Sequence, residues 1–95
     1  MKIEFDGEAI LSEGNFHDVL AEALDLSGYY GGNLTALWDV LSTDVERPVR
    51  LVWKNSAVSR AAMGSSFDRL VDVLRRVEKQ DIEWNLPDGF ELVLN

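Results

Sequence analysis

Three short strand-like stretches, residues 2–6, 49–53 and 90–94, are each separated by two runs whose apolar residues recur at helical spacing. Lys2-Ile3-Glu4-Phe5-Asp6 alternates polar and apolar, which puts Ile3 and Phe5 on one inward face. Pro48 opens Val49-Arg50-Leu51-Val52-Trp53, apolar enough for a central strand, with Trp53 read as core. Phe90-Glu91-Leu92-Val93-Leu94 is the last strand, after a Pro87-Asp88-Gly89 turn. The order strand, helix, helix, strand, helix, helix, strand predicts a small parallel α/β sheet joined by right-handed crossovers. No repeat, low-complexity run or linker divides residues 1–95, so the expectation is a single domain.

The helical runs carry their own punctuation. Asp6-Gly7 reads as a turn. Asn15 is placed to cap a first helix with a stripe of Phe16, Val19, Leu20, Ala23 and Leu24, ended by Ser27-Gly28. Asp18 in its first turn suits the helix dipole, and His17 beside it reads as a surface residue. Asn33 caps the next helix, whose stripe is Leu34, Leu37, Trp38 and Leu41. Ser56–Met63 forms a short helix cut by Gly64. Ser65 and Asp68 then resemble a capping box for a long helix with Phe67, Leu70, Val71, Leu74 and Val77 inward. Asp72 and Arg76 pair on its outer side, with Arg75 read as a further partner of Asp72. Residues 82–86 read as a short strand or an extended loop, and Asp81, Glu83, Asp88 and Glu91 as solvated surface.

Composition narrows the chemistry. The chain has no cysteine, which excludes disulfides and thiolate zinc sites, and a single histidine cannot build a histidine-based metal centre. No cofactor is expected. The N-terminal alternation reads as a strand and not a signal peptide, and no apolar run nears the roughly 20 residues of a membrane span. The chain is therefore expected in the cytoplasm, where the Asn33-Leu34-Thr35 sequon is a chance match. Net charge is −8 and uneven: residues 1–46 hold ten acids and one base, whereas residues 47–79 hold eight bases and three acids. An acidic surface makes nucleic acid and anionic membrane poor partners and favours a basic protein, although solubility alone would also account for it.

The chemically unusual segment is residues 28–41, Gly-Tyr-Tyr-Gly-Gly-Asn-Leu-Thr-Ala-Leu-Trp-Asp-Val-Leu. Tyr29 and Tyr30 enter a glycine turn that opens a helix bearing Trp38 and Asp39. Thr35, Asp39 and Ser42 share the outward stripe of that helix. Aromatic bodies with polar tips around a carboxylate suit a protein interface. A glycine turn at a helix start can bind phosphate, but here there is no P-loop lysine and no dinucleotide spacing, and Asp39 would repel an anion.

The run Tyr-Tyr-Gly-x-Asn-Leu-x-Ala-Leu-Trp-Asp, residues 29–39, resembles the signature of the barstar family, intracellular inhibitors of the ribonuclease barnase. Element order agrees with that family from Lys2 to Leu94. The resemblance implies a three-stranded parallel sheet packed by about four helices, and a function of plugging a nuclease active site. It makes Asp39 the central carboxylate, standing where a substrate phosphate would lie. Tyr29 would rest against a catalytic histidine, and Gly31, Asn33, Trp38, Ser42 and Thr43 would line the contact. Tyr30 belongs to the same face but is read chiefly as packing, and Trp38 as both core and rim.

Several positions depart from the family pattern. An acidic residue four before Asp39 is Thr35 here, an aromatic beyond the second helix is Asp44, and an acidic contact on the last helix falls at Arg76, with Glu78 nearby. Residues 80–89 look longer. A kept centre with a rewritten rim implies a basic ribonuclease other than barnase, bound by a chain that is monomeric when free. The rival reading is an interaction or regulatory protein of this family whose partner is not a nuclease. An enzyme is the least supported reading, because no acid–base pair accompanies the lone histidine.

Overall fold

A computed structural model describes residues 1–26, 28–86 and 88–95. Ser27 and Pro87, assigned above to a helix end and a turn, lie outside the described residues. The strands are β1 (Lys2–Asp6), β2 (Val49–Lys54) and β3 (Phe90–Leu94), in the order β1-β2-β3 with both pairings parallel. The helices are α1 (Glu13–Ala23), α2 (Leu34–Asp39), α3 (Ser56–Met63) and α4 (Ser65–Glu83). A 3₁₀ turn at Gly7–Ala9 follows β1, and a π-helical turn at Val40–Asp44 continues α2. The fold is thus the expected α/β arrangement of a three-stranded parallel sheet with four helices.

Register explains the core. Ile3 lies opposite Leu51 and Phe5 opposite Trp53, while Leu51 lies opposite Leu92. These side chains share one face of the sheet and join Phe16, Leu37, Leu70 and Leu74 in a continuous apolar cluster. Trp53 is fully buried, its ring 5.2 Å from Phe16 and 5.1 Å from Phe67. Its indole N–H donates to Ser59 Oγ at 3.1 Å, and that hydroxyl donates to Gly7 O at 2.9 Å. Gly7 is obligatory at this corner, because a Cβ there would stand 2.1 Å from Asn55 O. The other face of the sheet carries exposed Lys2, Glu4, Arg50, Lys54 and Glu91, with Lys54 paired to Glu4 and Arg50 to Glu91. A parallel sheet normally has both faces covered. This one is covered by helices on one face, and β1 alternates in–out accordingly, while Val52 of the central strand is buried among its neighbours on the other face.

Several local expectations are corrected. Ser12, not Asn15, caps α1: its Oγ accepts from Asn15 N at 3.1 Å, and Asn15 Oδ1 in turn accepts from Leu11 N. Two potential caps lie three residues apart, and the extended backbone of Ser12 decides between them. The buried face of α1 is consequently Phe16, His17 and Leu20, and Ala23 is exposed. No capping box opens α4; Gly64 precedes it, and Ser65 Oγ accepts from Arg69 instead. Val77 is buried as expected, but Val73, not Val71, is the second buried valine of that helix. Residues 82–86 form no strand, because α4 runs on through Glu83 and closes in a turn.

Two surface assignments also fail. Arg75 does not pair with Asp72 but with Glu78 at 2.9 Å, and it donates to Leu92 O at 3.0 Å. Asp81 is buried: one oxygen receives Arg47 Nε at 2.7 Å and Phe90 N at 2.7 Å, the other Arg47 Nη2 at 3.2 Å. Glu78 accepts from Leu92 N at 2.7 Å. The outer edge of β3 is therefore paired to side chains of α4 in place of a fourth strand.

Burial alone would raise the Asp81 carboxyl, but Arg47 and the Phe90 N–H outweigh it and hold the group below its ordinary value of 3.8. Replacing Asp81 by Asn should lower stability at neutral pH by about 2–4 kcal/mol, read from the urea midpoint. In the unfolded chain this carboxyl protonates near 3.8, in the native chain lower. Unfolding therefore takes up a proton in that window, and the wild type loses the increment as pH falls through it. The variant's stability curve should lack that loss.

Candidate functional site

Asn33 sets the start of α2. Its backbone is extended and its Oδ1 accepts from Ala36 N at 2.8 Å, which fixes the first turn and leaves Leu37 fully buried. With Leu37 and Leu41 inward, Thr35 and Asp39 face solvent, and Leu34 and Trp38 are half-buried. The preceding turn favours glycine at one position by conformation and is tightly packed at the other. Gly32 has φ +67°, and a Cβ on Gly31 would come within 3.1 Å of Ala36 Cβ.

Beyond Asp39 the helix widens. Val45 N bonds to Val40 O, five residues back, so the last carbonyls of α2 lose their usual partners. Hydroxyls take their place: Ser42 Oγ donates to Trp38 O at 2.6 Å, and Thr43 Oγ1 donates to Asp39 O at 2.5 Å. Thr43 Oγ1 also lies 3.1 Å from Asp44 Oδ1. Ser42 and Thr43 thus shape the end of the helix from within their own backbone.

This wider turn brings Asp44 onto the same side as Asp39. Tyr29, Tyr30, Gly31, Asp39 and Asp44 line one open cleft of about 170 Å³. Tyr29 is 64% exposed, and among the described residues the Asp39 carboxylate has no hydrogen-bond or ion-pair partner. Thr35 and Trp38 belong to a neighbouring groove of about 490 Å³ between α2 and α4, floored by Leu34 and Val73. There the Arg76 guanidinium lies 5.2 Å from the centre of the Trp38 ring, within cation–π range, and 3.6 Å from Asp72. All ten residues singled out from the sequence fall on this stretch of loop, helix and π-turn. Asn33 uses its side chain for the cap.

His17 was assigned to the surface, and the structure buries it. Its Nδ1 lies 2.5 Å from Tyr30 Oη and its Nε2 3.0 Å from Glu13 Oε2. The spacing Glu13–His17 at i,i+4, with Leu20 and Leu24 continuing the same side, was the signal for an inward histidine. Burial, and then the charge of Glu13, push the Tyr30 phenol above its ordinary value. Among the described residues no cluster of histidine and carboxylate could hold a metal ion, and no helix is long and apolar enough to cross a membrane.

A three-stranded parallel sheet packed by four helices places the chain among small α/β domains. More particularly, the chain belongs to the barstar family, matching the family described as "Barstar (barnase inhibitor)" over residues 1–94. It is also 36% identical over 93 residues, covering 98% of this chain and 97% of its relative, to "Putative ribonuclease inhibitor YrdF" of Bacillus subtilis (strain 168). The family is one of inhibitors, and the chain is not an enzyme.

Asn33→Ala should remove the α2 cap and lower stability by about 1 kcal/mol, measurable as a shift in denaturant midpoint without a change in slope.

Proposed function

We propose that this protein inhibits a basic ribonuclease by filling its substrate cleft with the Tyr29–Asp44 face. One observation carries the reading: an exposed carboxylate without a partner among the described residues, Asp39, shares a cleft with Tyr29 and Asp44. A nuclease cleft that holds RNA phosphates must offer cationic side chains, and a carboxylate in that place satisfies them. Asp39 is the central contact, Tyr29 the exposed ring beside it, and Asp44 a second carboxylate for the same cations. Gly31 keeps the loop low, while Thr35, Trp38, Ser42 and Thr43 form the surrounding contact. No bond is made or broken; inhibition is occlusion combined with charge mimicry. Family membership and the name of the Bacillus subtilis relative support a ribonuclease as partner. The complex would protect the cytoplasm in which both are made.

Thr35 and Arg76, at the edge of the face, make the rim less acidic than its centre. We read this as selection for a ribonuclease with its own matching rim.

The test is affinity capture from the native host's lysate, with the wild-type chain and Asp39→Ala as baits. A basic ribonuclease retained by the wild type, and inhibited by it in an RNA-cleavage assay, is the expected result. Asp39→Ala should weaken that complex by about 3–5 kcal/mol, since it leaves desolvated cations unpaired. Equal retention by both baits would overturn the role of Asp39. A partner without nuclease activity would transfer the face to the rival reading of a regulatory interaction.

Raising salt tenfold should slow association of the captured ribonuclease far more than it speeds dissociation, because the steering field is screened first. Stopped-flow binding traces that keep the same association rate would count against electrostatic steering.

A further inference from the structure

His17 is the one buried histidine of the chain, and the inhibitory contact makes no direct use of it. Both ring nitrogens are engaged, Nδ1 with Tyr30 Oη and Nε2 with Glu13 Oε2. The imidazole also stands edge-on to Phe16, with centroids 5.9 Å apart, and lies 5.5 Å from the Tyr30 ring. It is thereby clamped between the aromatic core and the loop that leads into α2. Because the Tyr30 phenol is held neutral by burial, its O–H can donate to Nδ1. The ring proton then sits on Nε2 and points at the Glu13 carboxylate.

The loop on the far side of that hydrogen bond is otherwise lightly fastened. Gly28 and Gly32 bracket it at φ +97° and +67°, and a Cβ on either would meet nothing within 4 Å. Its backbone bonds among the described residues are Tyr29 N and Tyr30 N, both to Leu26 O, at 3.3 and 3.1 Å. Tyr29 and Gly31, the two neighbours of Tyr30, both line the cleft that holds Asp39. A loop between two glycine pivots would lose much conformational freedom on binding unless something ordered it beforehand.

We infer that Glu13, His17 and Tyr30 form a positioning relay that pre-orders the Tyr29–Gly31 loop for contact with the ribonuclease. His17 and Glu13 touch no partner atom; they act through Tyr30. The inference rests on the proposed contact face, but its first readout needs no partner.

Amide hydrogen exchange in the free protein provides that readout. Losing one partly buried hydrogen bond in Tyr30→Phe or His17→Gln should speed exchange at the Tyr29 and Tyr30 amides about tenfold. The amides of Leu51 and Val52 in the central strand should keep their wild-type rates. His17→Asn, whose amide reaches the Nδ1 position but not Glu13, should restore most of the protection. In parallel, the affinity for the ribonuclease captured by the wild type should fall about tenfold in Tyr30→Phe and His17→Gln. The double variant should add little to either single one.

Wild-type exchange at Tyr29 and Tyr30 in Tyr30→Phe would overturn the relay, as would equal acceleration at Leu51 and Val52, which would make the contact merely structural. If Asp39→Ala binds normally, the contact face is wrong and the exchange data still decide whether the loop is pre-ordered. If Asp39→Ala is crippled while Tyr30→Phe binds fully, the face stands and the relay falls.

Discussion

Asp81 joins three parts of the chain that are remote in sequence. Its carboxylate receives Arg47 from the segment before β2, Phe90 N from the start of β3, and is itself carried by the last turns of α4. Gly89 lies so close that a Cβ there would stand 2.7 Å from Asp81 Cβ. A buried carboxylate is tolerable only when it is this fully occupied. Arg47 passes the restraint onward: its Nη1 donates to Val45 O at 2.7 Å, the residue that closes the π-turn after α2. One ion pair therefore fixes where the sheet takes up β3 and where the candidate face ends.

The same helix resolves a second difficulty of so small a sheet. A three-stranded sheet has two edges, and an exposed edge invites pairing with another chain. Along β3, Glu78 and Asp81 accept the outward N–H groups of Leu92 and Phe90, and Arg75 donates to the Leu92 carbonyl. Side chains spaced along α4 thus imitate the hydrogen bonds of a missing strand. Asp81, which the sequence suggested was solvated, is occupied in closing the sheet, whereas Glu83, Asp88 and Glu91 are exposed.

Much of this was legible because its signals are local. The alternation in residues 2–6, the apolar run at 49–53 and the Asn33 cap each lie within a few residues, and each element formed where it was expected. The cluster from Tyr29 to Asp44 was legible for the same reason, being nearly contiguous in the chain. Asp81 was misread because its partner Arg47 is 34 residues away, whereas His17 has one distant partner, Tyr30, and one local one, Glu13, whose i,i+4 spacing was the missed signal. A polar residue on an inward position looks like an error until its partner is known. Asn15 suits a cap by residue type, but the extended backbone at Ser12 makes Ser12 the cap. The extension of α4 through residues 80–83 was hidden by the surface appearance of Asp81.

The bare face of the sheet has a practical meaning. Two of the three lysines, Lys2 and Lys54, project from it, while α2 packs Leu37 and Leu41 into the core from the helical side. A molecule tethered to a surface through either amine would stand on its strands and show its helices to solution. The fold thereby provides its own handle, set apart from the chemistry at Asp39.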